Sequence, residues 1–346
     1  MRFQGFKNDL PKRRLHFEIG AAILIALLCV YGATLPRPKK QEGFFDRWRG
    51  RIVERVDAVF DPPASAWVAG LLLGADQGFS QKWKDAFRRT GTSHLTAVSG
   101  YNVGLVLAAA QSFLLRLPIT RRLRAVIAFF GVTVFVMLTG APGSVLRATV
   151  MIAAVESGRH FGRPVKPLRA LLLATVLIGV FSPRSLVADR GFQLSLLAAF
   201  GLATIAPAFL ASMPKRVPGV LADWISQTLA ASIATAPLIA WMSGAYSLVT
   251  LPANVAVAAF IPPIMAAGAC ILAVSFASLG LAQALALLGK GLFVFPLAVI
   301  RSLASWPAAS MSGFGALALL IGVELCSVFI LFRWRRRASL RYALHE

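Results

Sequence analysis

The side chains in this chain that could do chemistry are cations and hydroxyls set in apolar surroundings. Lys82, Lys84, Arg88 and Arg89 crowd around Trp83 and Phe87. The stretch from Thr90 to Gly104 follows and opens an apolar run with Ser93, His94, Thr96, Ser99, Gly100, Asn102 and Gly104. Polar groups at membrane depth must find partners or line a wet cavity. Helix–helix contact through small residues, with Ser and Thr bonded to backbone carbonyls, would account for them equally well. His94 stands alone, and Ser99 has no base and acid at motif spacing, so no hydrolytic triad is indicated. The four histidines, His16, His94, His160 and His345, form no His-x-His or HExxH pair, so no metal-ligand set is present. Cys29, Cys270 and Cys326 each sit in an apolar run without a CxxC pair, which argues against disulfides. These patterns predict no catalytic residue, no metal and no cofactor: the chain reads as a binding or conducting protein, not an enzyme.

Three further places carry polar groups inside apolar runs. Arg147 lies near the start of one. A mid-membrane Arg costs roughly 2.5–3.5 kcal/mol on insertion scales, so it should face a polar interior, pair with an acid or contact a passing anion. Glu156, Asp189 and Glu324 are the acids in or beside such runs. Asp189, Gln193 and Ser195 open another run. Thr228, Ser232, Thr235 and Pro237 punctuate a third, and Pro262-Pro263 interrupts a fourth. A proline frees a backbone carbonyl, and such broken helices occur both as transport sites and as packing kinks.

The elements that must position these residues are transmembrane. Of 346 residues 57% are hydrophobic and only 14% charged, against about 25% charged in soluble domains. Mean hydropathy is +0.71. Apolar runs near the roughly 20 residues that span a hydrocarbon core recur along the chain, and they are apolar on both faces, which favours helices over a barrel. The fold class expected is an all-α polytopic bundle of about ten spans. These fall near 17–35, 95–116, 124–140, 144–158, 168–182, 191–212, 221–243, 251–276, 282–300 and 314–332. Residues 66–74 are too short to cross and are expected to be re-entrant or interfacial. Residues 80–90 form an interfacial helix with Ser80 capping its start and Gly91 its end. Residues 36–64 form a short polar segment whose Phe45, Trp48, Ile52, Val56 and Val59 recur at helical spacing, as in a helix lying on the membrane surface. The organisation is thus 1–35, a basic terminus and first span without a small-residue cleavage site; 36–64; 65–332, the main transmembrane domain; and 333–346, a basic tail.

Formal net charge is +22. It fits both the positive-inside rule with anionic lipid and a polyanionic substrate. With ten spans, the N-terminus, residues 116–124, 159–169 and 215–216 and the tail share one side. That side holds more than half of the 36 Lys and Arg residues. The chain is therefore placed in a bacterial inner membrane with both termini cytoplasmic.

Five segments, in order, resemble the transmembrane competence domain of the ComEC DNA-uptake family. They are Leu71 to Asp76; Phe87 to Leu95 with Val98-Ser-Gly100; Leu138 to Pro142 with Ser144 to Arg147; Gly191 to Ser195; and Ala230 to Leu238. The resemblance runs from about residue 65 to about residue 275. Asn102 stands where the family usually has His, and Asp189-Arg-Gly replaces its usual Asp-Pro-Ser. The resemblance implies a channel for single-stranded DNA. Lys82, Lys84, Arg88 and Arg89 would stand at its mouth, Ser93, His94, Ser99 and Asn102 would line it, and Arg147 would contact phosphate. Asp189, Gln193 and Thr235 complete the candidate path. Family members also carry an OB-like domain and a metallo-β-lactamase-like nuclease domain, for which residues 36–64 are too short and no ligand histidines exist. No GxxxxGK loop is present. The implied partners are therefore a cytoplasmic helicase motor, a periplasmic DNA receptor and a separate nuclease, besides DNA and the bilayer. A small-molecule transporter, or an accessory scaffold without the nuclease, remains open.

Overall fold

The computed structural model describes residues 10–36, 44–75, 78–214, 216–243, 245–306, 310–312 and 322. The expected last span at 314–332 and the basic tail lie outside the described residues. In chain order the helices are α1 (Leu10–Thr34), α2 (Phe44–Val59), α3 (Ala64–Leu73), α4 (Gln81–Arg89), α5 (Gly100–Leu114), α6 (Arg121–Leu138), α7 (Gly143–His160) and α8 (Pro167–Phe181). They continue with α9 (Pro183–Ala188), α10 (Arg190–Thr204), α11 (Ala206–Ser212), α12 (Gly219–Ser243), α13 (Thr250–Ala258), α14 (Ile261–Ala277), α15 (Leu279–Leu288) and α16 (Lys290–Ala304). A two-stranded antiparallel ribbon, β1 (Ala245–Ser247) with β2 (Ser310–Ser312), pairs Tyr246 with Met311.

Two helices are long and apolar enough to cross a membrane, within Ser93–Leu114 and Gly219–Met242. Three bent pairs raise the number to five if each is one span: α10–α11 at 42°, α13–α14 at 43° and α15–α16 at 51°. The bends have local causes. Pro207 and Pro262-Pro263 sit in the first turns of α11 and α14, where they cannot donate to the preceding turn, and Gly289 separates α15 from α16. Large apolar side chains stand exposed on these helices and on α8: Phe181, Leu288 and Trp241 are 86%, 85% and 80% exposed. Such surfaces suit lipid and not water.

The chain divides into two compact units. The first comprises residues 1–41 and 142–196. Its core is Ile178, Leu186 and Phe192, with Leu28, Cys29, Leu146 and Leu196 packed against them. Glycines let its helices approach closely. A Cβ on Gly179 would sit 2.9 Å from both Leu28 and Leu186, and one on Gly32 would overlap the carbonyl of Pro183. Arg184 donates to the carbonyl of Leu35, which ties α9 to the end of α1.

The second unit comprises residues 42–141 and 197–346. Its core is built on α3, whose Trp67, Val68 and Leu71 are fully enclosed together with Phe87, Ile261, Ile264, Phe293, Leu297 and Ile300. Of the two expectations for residues 66–74, re-entrant or interfacial, the interfacial one is corrected here: nine of the ten residues of this largely apolar helix are buried in protein. The same correction applies to half of α2. Its Val56 and Val59 are buried against this core, Arg55 Nη2 donates to the carbonyl of Ser275 (2.8 Å) at the end of α14, and Gln283 donates to that of Ala58 (2.8 Å). The aromatic end of α2, with Phe44, Phe45 and Trp48, remains exposed.

Candidate nucleic-acid interface

Helix α4 has one apolar face, formed by Trp83, Ala86 and Phe87, and one charged face. The apolar face does not lie on lipid as the sequence suggested. Phe87 is 1% exposed, and its ring packs on Phe79, Trp83 and Trp67 at centroid distances of 5.1, 6.2 and 6.3 Å. Locking that face into the core forces Lys82, Lys84, Arg88 and Arg89 outward, and all four are exposed. Arg88 pairs with Asp85 at 3.1 Å, and Arg89 donates to the carbonyl of Trp306 (3.1 Å) just beyond α16. Lys82 and Lys84 make no ion pair with a described residue. Ser80 occupies the expected cap position but makes no side-chain capping bond, which corrects that expectation. Gly91 does end the helix. With φ at +66 its N–H bonds to the carbonyl of Arg88 and that of Thr92 to Phe87, the pairing of a Schellman motif.

The polar stretch that follows separates into buried ties and exposed groups. Thr90 and Thr92 are buried with their hydroxyls 2.7 Å apart. A 3-10 turn at Ser93–Leu95 then presents Ser93 and His94 to the outside. The turn is fastened from below, because the indole N–H of Trp67 donates to the carbonyl of Leu95 at 2.7 Å. Asn102 is 1% exposed. Its amide donates to the carbonyl of Leu71 and accepts from the Ser99 hydroxyl, both at 3.2 Å. Ser99 and Asn102 thus fasten α5 to α3, and Ser93 and His94 are the exposed members of the stretch.

In the first unit Arg147 is buried within α7. Its Nε and Nη2 both donate to the Ser195 hydroxyl, at 3.1 and 2.6 Å, and Nη1 reaches the Met151 sulfur at 2.9 Å. No carboxylate among the described residues lies within 4 Å of it. Glu156 pairs with Arg159 at 2.9 Å, and the Asp189 carboxylate accepts the backbone N–H of Phe192 at 2.9 Å. Gln193 donates to the carbonyls of Leu186 (3.0 Å) and Val187 (2.9 Å), which closes the end of α9. In the second unit Thr235 bonds back to the carbonyl of Ala231 at 2.8 Å inside α12. One carboxylate oxygen of Asp189, the side-chain NH2 of Gln193 and the Thr235 hydroxyl are therefore engaged within the protein.

The family model described as Competence protein matches residues 71–337. The chain belongs to this family. A protein named ComE operon protein 3, from Bacillus subtilis (strain 168), is 28% identical over 212 residues, which are 61% of this chain and 26% of that protein. The chain thus spans about a quarter of the length of that curated relative. No solved structure matches.

All twelve candidate residues fall inside the matched part of this competence-family chain. The structure brings Lys82, Lys84, Arg88, Arg89, Ser93 and His94 onto adjoining elements of one unit, and it places Arg147, Asp189 and Gln193 in the other. Two positioning residues lie outside the candidates. Ser195 meets Arg147 across 48 residues of sequence, and Trp67 meets Leu95 across 28. No spacing rule reaches that far, although the buried indole N–H of a Trp in an all-apolar run signals that a partner must exist.

Proposed function

We propose that this chain is a membrane component that passes single-stranded DNA into the cytoplasm during natural transformation. The observation that carries the reading is the cationic face of α4 on a member of the competence family. Four exposed cations with Trp83 at their edge suit a polyanion held without sequence readout. Ser93 and His94 extend that face, and Arg147 supplies a further phosphate contact. A cytoplasmic motor, a periplasmic receptor and a separate nuclease would complete the system.

Replacing Lys82, Lys84 and Arg88 together by Ala tests this. Each phosphate neutralised contributes about 0.7 to the slope of log affinity against log salt for a single strand. Binding of a labelled oligothymidylate in micelles should therefore lose about 2 from that slope, and DNA uptake should fall at unchanged abundance. An unchanged slope with normal uptake would redirect the assignment to a small-molecule transporter.

The proposal includes a ten-span inner-membrane topology with both termini cytoplasmic, α1 being the first span. A fluorescent reporter that matures only in the cytoplasm should be bright when fused after Arg337 and dark when inserted in residues 36–64. A dark fusion after Arg337 would refute the ten-span arrangement.

A further inference from the structure

We infer that Arg147 and Ser195 form a donor-only clamp for one phosphodiester group of the DNA strand, an inference that rests on the reading above. A guanidinium carries five N–H donors in a planar fork. The Nε–Nη2 edge of Arg147 is engaged by the Ser195 oxygen, and Nη1 touches the weak acceptor Met151. Beyond Ser195 and that thioether, the pair of terminal nitrogens Nη1 and Nη2 has no acceptor among the described residues. That pair is the geometry that grips two oxygens of a carboxylate or phosphate. Ser195 contributes in turn. With both lone pairs taken by the guanidinium, its hydroxyl proton is left to donate, and no described residue accepts it.

The cluster therefore offers donors and a single positive charge, with no carboxylate within 4 Å among the described residues; that of Asp189 lies one turn away, against Gly143. Its complement is an acceptor-only monoanion with two free oxygens, which is the chemistry of a phosphodiester. Energetics point the same way. A buried cation without a counter-charge is costly to keep, and a passing phosphate offsets that cost only while it is there. Such a site would hold each phosphate briefly and release it, as conduction requires. Ser195 has two parts in this arrangement: it holds the guanidinium by its Nε–Nη2 edge and presents its own proton to the phosphate.

Residue-resolved modification of arginines by phenylglyoxal, read by mass spectrometry, tests the clamp. The full chain is treated in maltoside micelles, which carry no phosphate, either alone, with a short oligothymidylate, with its uncharged methylphosphonate analogue, or with phosphatidylglycerol. The charged strand should protect Arg147 several-fold, and the uncharged analogue should not. Ser195→Ala should raise the oligothymidylate concentration needed for half-protection of Arg147 about tenfold and leave that for Arg88 unchanged, the scale of one hydrogen bond to a charged group. Protection of Arg88 without Arg147 would overturn the clamp and leave the DNA reading standing. Protection of neither would overturn both. Equal protection of Arg147 by phosphatidylglycerol would reassign the site to a lipid phosphate. An Arg147 unreactive in every condition would be sealed in the protein, and the inference would fail.

Discussion

Arg147→Ala should abolish DNA uptake without lowering the amount of protein in the membrane. Breaking a buried ion pair leaves an unpaired charge and costs about 3–5 kcal/mol, enough to deplete a membrane protein. Arg147 leaves no such orphan among the described residues, because its partners are a hydroxyl and a thioether. Its removal deletes a desolvated cation, so abundance should stay within about twofold of wild type. The loss to a phosphate in transit is of another size. Truncating one partner of a desolvated charge pair costs about 2–5 kcal/mol, and uptake should fall about 100-fold or more. Arg147→Lys should restore part of it, since a point charge still attracts phosphate but cannot grip it bidentately. His94→Ala should lower uptake as well, because His94 is exposed on the turn beside α4. Abundance and uptake must be measured on the same strain. A fall of both in step would make Arg147 a structural partner, and normal uptake at normal abundance would remove it from the DNA path.

The helices were legible because hydrophobic runs and their proline breaks are local properties. The runs at 221–243 and 168–182 became α12 and α8 within a few residues, and Pro262-Pro263 became the bend between α13 and α14. The amphipathic pattern of residues 80–90 was legible for the same reason, since Trp83 and Phe87 share a face by period alone. What covers that face was not legible. A pattern of apolar residues is the same whether lipid or protein meets it, and here Trp67 and Phe79 meet it instead of a bilayer. The roles of the polar residues were hidden for a related reason. Asn102 and Gln193 looked like lining groups, yet their amides close carbonyls on α3 and at the end of α9. A buried polar side chain with a partner and one without look alike in a sequence. The difference depends on contacts such as Arg147 with Ser195, 48 residues away.

Trp67→Ala should be the most damaging single change to the interface, although it alters no exposed residue. The Trp67 side chain has no exposure, and its ring lies against Phe87, the residue that anchors α4. Truncating a buried Trp costs about 3–5 kcal/mol through lost burial and the cavity left behind. The Leu95 carbonyl would also lose the indole N–H at 2.7 Å, for about 1–3 kcal/mol more. Together these approach the whole stability of a typical fold, about 5–15 kcal/mol. The melting temperature in micelles should therefore drop sharply, and DNA binding should weaken because α4 and the Ser93–Leu95 turn lose their common support. Trp67→Phe separates the two contributions. It keeps most of the ring volume against Phe87 but not the hydrogen bond. Its melting temperature should fall only modestly, while binding weakens to the extent that the turn must be fastened to hold Ser93 and His94 in place. If Trp67→Ala melts like wild type, α3 is not the core of this unit. If it melts low but binds DNA normally, the cations of α4 act independently of the turn, and His94 has no part in the interface.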